Sequence, residues 1–151
     1  SNLYGINTTG LRYFTVYGPW YRPDMAMFLF IKKMISRENI TVYNDGKMKR
    51  DFTYIDDIVN GTKLAIVKNF NCEIFNLGNN KPEELMKMIH ILENELNLKA
   101  KINYEPLQNG ELVETHADID YSKNMLGYFP NISLENGIPK LVEWYKEYYR
   151  C

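Results

Sequence analysis

The sequence contains few of the residues that build metal centres or disulfide frameworks. Among 151 residues there are two cysteines, Cys72 and the terminal Cys151, and two histidines, His90 and His116. Two cysteines do not make a disulfide framework, so a reducing, cytoplasmic location is the simplest interpretation. The histidines and cysteines show no metal-ligand spacing, and the sequence therefore predicts no zinc site.

An excess of charge of one sign is also missing, because 18 basic side chains oppose 19 acidic ones. A near-neutral chain lacks the basic surface that is typical of proteins that bind nucleic acids or membranes. No apolar run is long enough to span a bilayer, and the chain opens on no secretory signal. We therefore expect neither nucleic acid nor a membrane as a partner.

The nine glycines form neither a G-x-G-x-x-G motif nor a P-loop. A G-x-S-x-G nucleophile elbow is missing as well. One Tyr-x-x-x-Lys match runs from Tyr43 to Lys47, but it spans Asn44-Asp45-Gly46, which is a strong signal for a tight turn. The phenol and the ammonium group therefore do not share a helix face. We expect no dinucleotide cradle and no catalytic residue in this chain.

Strand patterns alternate with helix patterns along the chain, which is typical of the α/β class. The first strong element, Gly10 to Tyr17, is rich in aromatic and β-branched residues and is predicted to be a buried strand. Because little precedes this strand to cover it, we interpret the chain as part of a larger α/β protein. Four shorter strands are predicted at residues 40–43, 51–55, 73–77 and 102–104.

Helices are predicted between these strands, at about residues 24–37, 58–68, 80–96, 121–126 and 134–149. Pro23 and Asp24 open the first helix, and Asp56 or Asp57 is expected to cap the second. The third is expected to start at Asn80-Lys81-Pro82-Glu83, because proline is tolerated in a first helical turn. An apolar stripe then runs along one face of this third helix. The aromatic residues near the end of the chain are expected to pack the last helix.

Residues 15–25 are the first of three segments with the chemistry to bind a phosphorylated ligand. They follow the end of the first strand, and ligands of open α/β sheets bind at the carboxyl ends of strands. Arg22 can make a forked contact with a carboxylate or a phosphate. The alternative is a rigid surface loop in which Arg22 pairs with Asp24.

The second segment is the basic run around Arg50, which begins a strand just after the predicted turn. Its planar guanidinium suits a pyrophosphate. The alternative is a surface pair with Asp51, Asp56 or Asp57. The third segment, Gln108 to Glu111, is a turn whose carboxylate can bond ribose hydroxyls, and the alternative is an ordinary solvated loop.

These segments, in this order, resemble the extended short-chain dehydrogenase/reductase family, and within it the UDP-glucuronate epimerases that act at carbon 4. The resemblance covers nearly the whole chain. The long run from Gly46 to Asp57, Lys-Met-Lys-Arg-Asp-Phe-Thr-Tyr-Ile-Asp-Asp after the glycine, is its most specific part. The other matching stretches are Gly10–Trp20, Arg22–Ala26, Val42–Asn44, Phe75–Gly78, Pro106–Gln108 and Trp144-Tyr145.

The resemblance implies roles for several residues. Thr15 would face the sugar near the carboxylate of a uronic acid, and Arg22 would lie by the sugar and phosphates. Val42 and Tyr43 would border the uracil, largely through backbone atoms, and Arg50 would hold the pyrophosphate.

The sequence also departs from the pattern of this family. Gln108 stands where many relatives have an arginine that grips phosphate, and Glu111 where they have an aspartate that grips ribose. More of the phosphate charge would then fall on Arg50 and Arg22. Tyr21 replaces a usual glycine, which alters the loop if that glycine needs a positive φ, and Asn109 replaces a usual proline.

The resemblance further implies that residues 1–151 form the nucleotide-sugar-binding domain, including a terminal strand of the Rossmann sheet. The NAD-binding Rossmann domain and the catalytic Tyr-x-x-x-Lys helix would lie outside this chain, which alone would be inactive. The parent would interconvert UDP-glucuronate and UDP-galacturonate by hydride removal at carbon 4, rotation of the keto sugar and hydride return. The resemblance is also compatible with a homodimer of the parent protein. The alternatives are a nucleotide-sugar dehydratase or reductase of the same fold, and a non-catalytic binding module.

Overall fold

The computed structural model describes all residues from 1 to 151 and confirms the α/β class. Seven strands are present: β1 (Thr8–Tyr13), β2 (Thr15–Tyr17), β3 (Asn39–Tyr43), β4 (Lys49–Tyr54), β5 (Cys72–Leu77), β6 (Pro82–Glu84) and β7 (Lys101–Glu105). The helices are α1 (Ala26–Ile35), α2 (Ile55–Lys68), α3 (Leu85–Leu96), α4 (Asp120–Leu126) and α5 (Leu134–Tyr149). None of these helices combines the length and the hydrophobicity needed to cross a lipid bilayer.

The strands form three small groups. Strand β1 pairs in parallel with β5, from Thr8 opposite Cys72 to Tyr13 opposite Leu77. Strand β4 lies between β2, which is parallel to it, and β6, which is antiparallel. Strand β3 pairs with β7. The turn at residues 44–46 therefore joins two strands that do not pair with each other, and the space between β3 and β4 is left for a cavity.

Two hydrophobic cores hold these elements together. The larger one contains the inner faces of α1, α3 and α5, including Ile31, Leu92 and Ile138, each of them fully buried. The smaller one lies between β5, α2 and α4, around Phe75 and Tyr128. The apolar stripe of α3 that the sequence predicts is confirmed, since its members pack into the larger core.

The first strand differs from the prediction in both continuity and burial. It is broken at Phe14, which separates β1 from β2, and β1 itself is mostly exposed. Tyr13 is 50% exposed and Ile74, on the neighbouring strand, is 54% exposed. The prediction of a buried strand is wrong for β1 because only β5 pairs with it.

The predicted start of the third helix at residues 80–83 is also wrong. Residues Pro82 to Glu84 form β6, in which Glu83 lies opposite Arg50 of β4. Helix α3 begins only at Leu85. Proline is tolerated at the first position of a strand as well as of a helix, so the local signal did not distinguish the two.

The acidic residues predicted at the starts of α1 and α2 make other contacts. Helix α1 begins at Ala26, later than predicted, and Asp24 is bonded to Arg22. Helix α2 starts at Ile55, directly after β4, and so before the predicted caps. Asp57 accepts hydrogen bonds from the backbone N–H groups of Asn131 and Ile132, and it thereby fixes the segment that leads into α5.

A close approach at Gly137 of α5 leads to a stability prediction. A Cβ atom built at Gly137 would lie 2.8 Å from Tyr54 Cδ2 and 2.8 Å from Tyr17 Cζ. Both tyrosines are buried. We expect Gly137→Ala to lower the free energy of unfolding by about 1–3 kcal/mol, the usual cost of overpacking, in spite of the higher helix propensity of alanine.

Chemical denaturation of the protein and its variants measures this effect. Asn136→Ala is the matched control, because Asn136 is the exposed neighbour of Gly137 in the same helix. Asn136→Ala is expected to be neutral or slightly stabilising. Equal stabilities of the two variants would show that the helix moves away without cost.

Candidate functional site

A cavity of about 420 Å³ lies between α1, β3 and β4. Most of its wall is apolar, and charged and hydroxyl-bearing side chains from separate elements reach into it. Four of the residues that the resemblance predicts to bind the substrate line this cavity: Thr15, Tyr43, Arg50 and Glu111. The lining also includes Tyr21, Asp24, Met25, Ala26, Met27, Leu29, Phe30, Lys33, Thr41, Met48, Phe52 and Leu85.

Strand β3 supplies one wall through its alternation of side chains. Thr41 and Tyr43 face the cavity, whereas Val42 between them is completely buried in the core. Successive side chains of a strand point to opposite faces, which explains the difference. The side chain of Val42 is thus unavailable to a ligand, and the expectation that this residue acts through its backbone stays a prediction.

Arg50 on β4 is held in place by three hydrogen bonds. Its Nη1 donates to the carbonyl oxygens of Lys49 at 2.8 Å and Val113 at 3.3 Å, and its Nη2 donates to Glu111 Oε2 at 3.3 Å. The side chain of Arg50 is only 20% exposed. The alternative in which Arg50 pairs with a neighbouring aspartate is wrong. Its anionic partner comes instead from a distant loop.

The loop after β7 brings Glu111 to the cavity but leaves Gln108 outside it. The backbone N–H of Glu111 donates to the carbonyl of Gln108, which confirms the predicted turn. This loop is tied to β4, because Lys49 exchanges backbone hydrogen bonds with Val113 and Thr115. Glu111 is therefore anchored close to Arg50 by tertiary contacts.

Arg22 does not line this cavity. It lies at a neighbouring cavity of about 350 Å³ with Trp20 and Ile55. Its guanidinium forms an ion pair with Asp24 in the exposed loop, as the alternative interpretation predicts. This hydrogen bond lowers the pKa of the Asp24 carboxyl.

Tyr21 lies between the two cavities and contributes to the wall of both. Burial raises the pKa of its hydroxyl, so the group stays a neutral hydrogen-bond donor. Tyr21 does not adopt a positive φ. The positive φ values of this loop belong to Gly18, at 141°, and Trp20, at 63°. The backbone at Tyr21 therefore does not need a glycine, and the left-handed residue beside it is Trp20.

Two polar residues of the cavity are not among those singled out by the sequence patterns. Thr41 lies two residues before Tyr43 on β3, so strand alternation could have identified it. Lys33 follows Leu29 by one helical turn on α1, and both line the cavity. The helix prediction alone could not show that this face meets a cavity.

The arrangement offers a ligand charges of both signs, hydroxyls and an aromatic face. Its cations lie in a largely apolar wall, where charge interactions are strong. Tyr43 offers an aromatic face, and Thr15 and Thr41 offer hydroxyls. Such a set can hold an elongated, anionic and partly planar molecule.

Comparison with known families gives one match. The family model described as NAD dependent epimerase/dehydratase family matches residues 1–78, about half of the chain. The matched region contains Thr15, Arg22, Tyr43 and Arg50.

Curated relatives and solved structures agree with this match. An uncharacterized protein of Methanocaldococcus jannaschii is 49% identical over 97% of this chain, which spans 45% of that relative. UDP-glucuronate 4-epimerase 4 of Arabidopsis thaliana is 41% identical over 99% of this chain and 38% of the relative. The chain thus spans about half the length, or less, of these relatives.

A crystal structure of UDP-glucuronic acid 4-epimerase from Bacillus cereus, in complex with UDP-glucuronic acid and NAD, superimposes with a TM-score of 0.91. The two proteins are 37% identical, and the match covers 98% of this chain and 48% of the other.

Proposed function

The chain belongs to the NAD dependent epimerase/dehydratase family, in agreement with its resemblance to the extended short-chain dehydrogenases/reductases, and we propose that it is the nucleotide-sugar-binding part of an epimerase. The proposed parent interconverts UDP-glucuronate and UDP-galacturonate. The observation that carries this proposal is the meeting of Thr15, Tyr43, Arg50 and Glu111 around one cavity. These residues come from four separate elements, so their convergence is a tertiary property.

Each of these residues has a role in the proposal that fits its chemistry. Arg50 binds the diphosphate, because its planar guanidinium is already oriented by two carbonyl groups. Tyr43 borders the uracil. Thr15, which lines the same cavity, donates its hydroxyl to the uronate carboxylate.

Glu111 is proposed to exchange its partner when the ligand binds. In the structure its carboxylate accepts a hydrogen bond from Arg50. A diphosphate that binds Arg50 competes with this contact and leaves Glu111 to accept hydrogen bonds from ribose hydroxyls. The exchange leaves each of the two charged groups with hydrogen-bond partners.

We propose that residues 1–151 are the substrate-binding domain and that NAD is held by another part of the whole protein. The pairing of β1 with β5 alone supports this division, because parallel sheets are normally larger and covered on both faces. A further strand beside β1 would complete such a sheet. The exposed Tyr13 and Ile74 offer apolar surface to elements that cover it.

The residues of this chain do not fit the pyrophosphate of a dinucleotide. None of the nine glycines belongs to a G-x-G-x-x-G loop, and such a loop provides the close backbone approach that a dinucleotide needs. NAD supplies hydride chemistry when it is bound in such enzymes. The residues here bind and orient the sugar, and we propose that they have no epimerase activity by themselves.

Isothermal titration of the whole protein tests the proposed substrate. We expect Thr15→Val to weaken UDP-glucuronate binding about tenfold or more, since a hydrogen bond to a charged group contributes about 1.5–3 kcal/mol. Its affinity for UDP-glucose should not change. Valine preserves the shape and the strand preference of threonine, so folding is little affected.

Thr41→Val is the matched control, because it removes a hydroxyl from the same cavity but from β3 instead of β2. Any change in affinity that this variant causes should be the same for UDP-glucuronate and UDP-glucose. If the unaltered protein binds a deoxythymidine diphosphate sugar far better than either UDP-sugar, the dehydratase or reductase alternative replaces the epimerase. Binding of no nucleotide sugar would refute both.

A further inference from the structure

The charged groups of the cavity leave one cation without a partner. Four charged side chains line the cavity: Asp24, Lys33, Arg50 and Glu111. Asp24 is paired with Arg22, and Glu111 is paired with Arg50. Lys33 takes part in no ion pair and its ammonium group makes no hydrogen bond to the protein. It is therefore the cation that is free to meet an anionic ligand.

Lys33 lies where its charge can reach the cavity. It lies in the last turn of α1 and is half-buried, whereas its neighbour Lys32 is exposed. Its surroundings in the cavity are largely apolar, with ten hydrophobic residues among the sixteen that line it. An anion bound in this cavity would give the Lys33 ammonium the counter-charge that the protein itself does not provide.

The second observation is that the loop at Gln108 offers no positive charge to the cavity. Gln108 is neutral and lies outside the lining. Arg22 is bound to Asp24 at the neighbouring cavity. Arg50 is then the other cation of the site, and one guanidinium that already faces Glu111 only partly balances a diphosphate.

We infer that Lys33 is a second phosphate-binding residue, which acts with Arg50 on the diphosphate of the ligand. This inference rests on the proposed function and names a residue for the same site. The two cations reach the cavity from different elements, α1 and β4, so a diphosphate between them contacts both walls. Lysine suits this position because its flexible stem lets a point charge follow the phosphate oxygens.

Titration of the whole protein and its Lys33→Met variant with uridine, UDP and UDP-glucose tests the inference. Methionine keeps most of the length and the apolar character of the stem and removes the charge. We expect UDP and UDP-glucose to bind about 10- to 100-fold more weakly to the variant, the range for a lost hydrogen bond to a charged group. The affinity for uridine should be unchanged. Lys33→Arg, which keeps the charge, should recover a large part of the lost affinity.

Lys32→Met is the matched control, since it removes the same charge from the exposed face of the same helix. It should bind all three ligands as the unaltered protein does. If Lys33→Met binds UDP as well as Lys32→Met does, or if uridine binding falls as much as UDP binding, the assignment of Lys33 to the diphosphate is overturned while the proposed function stands. If the unaltered protein binds neither UDP nor UDP-glucose, the proposed function fails first.

Discussion

Replacing Asp51 with alanine is expected to lower the free energy of unfolding by about 2–6 kcal/mol, because at least two buried donors lose their acceptor at about 1–3 kcal/mol each. Asp51 lies on β4 and is completely buried. Its Oδ1 accepts hydrogen bonds from the backbone N–H of Asn79 at 2.6 Å and from the hydroxyl of Thr53 at 3.3 Å. Its Oδ2 accepts one from the N–H of Ala117 at 2.9 Å.

These bonds join three distant parts of the chain. Asn79 follows β5, Ala117 belongs to the loop after Glu111, and Asp51 is the neighbour of Arg50. The carboxylate thus links β4 to the residue after β5 and to the end of the loop that carries Glu111. Loss of Asp51 is expected to loosen this loop as well as the fold.

Urea unfolding followed by circular dichroism measures the effect. Asp56→Ala is the control, because Asp56 is an exposed acid only a few residues away that makes no side-chain hydrogen bond. Asp51→Asn keeps the shape but turns one acceptor into a donor that faces an N–H group, so it should also be strongly destabilised. A difference below about 0.5 kcal/mol between Asp51→Ala and Asp56→Ala, the range of ordinary surface substitutions, would contradict the structural role.

Replacing Arg50 with alanine is expected to weaken UDP-sugar binding to the whole protein by about 1.5–3 kcal/mol, the range for hydrogen bonds to charged groups. The guanidinium is oriented by the carbonyl groups of Lys49 and Val113 before any ligand arrives. Such preorganisation reduces the entropy lost on binding. Fluorescence or calorimetric titration with UDP-glucuronate gives the affinity.

Lys49→Ala is the matched control for charge. Lys49 precedes Arg50 on β4 and does not line the cavity, because successive side chains of a strand point to opposite faces. Its loss should change the affinity little. Unchanged binding by Arg50→Ala would remove Arg50 from the phosphate site.

A double variant separates two explanations for a loss. Arg50→Ala also leaves Glu111 unpaired, and the unpaired carboxylate repels an anionic ligand. Adding Glu111→Gln removes this repulsion but not the loss of the guanidinium. We expect only partial recovery. Full recovery would mean that Arg50 serves to neutralise Glu111 rather than to bind phosphate.

The helices show which structural features a periodic sequence pattern can predict. The predicted limits of the last helix, residues 134 to 149, agree with α5, and the apolar stripe of α3 is buried as predicted. Both helices carry a 3.6-residue repeat that is contained within the segment itself. The sequence pattern places the start of α3 too early, because Pro82 and Glu83 pair with β4, a strand distant in sequence.

The site likewise combines residues that local sequence patterns identify with contacts that only the folded structure shows. A basic run after a turn identified Arg50, and a turn with a carboxylate identified Glu111, but no local pattern indicated that the two side chains meet. For Arg22, local chemistry was the better guide, since its partner Asp24 is only two residues away. Lys33 had no distinguishing pattern at all, because an isolated lysine on a helix is usually a solvated surface residue.

The sequence by itself determined the α/β class, most strands and helices, the family resemblance and the segments with binding chemistry. These properties depend on residues close together in the chain, whose periodicity and turn preferences act locally. The tertiary structure alone decided which segments share a cavity, that β1 is exposed, that Asp51 and Asp57 bind backbone groups of remote loops, and that Lys33 has no counter-charge. Each of these depends on contacts between residues far apart in the chain, which pairing of strands and packing of helices establish only in the folded molecule.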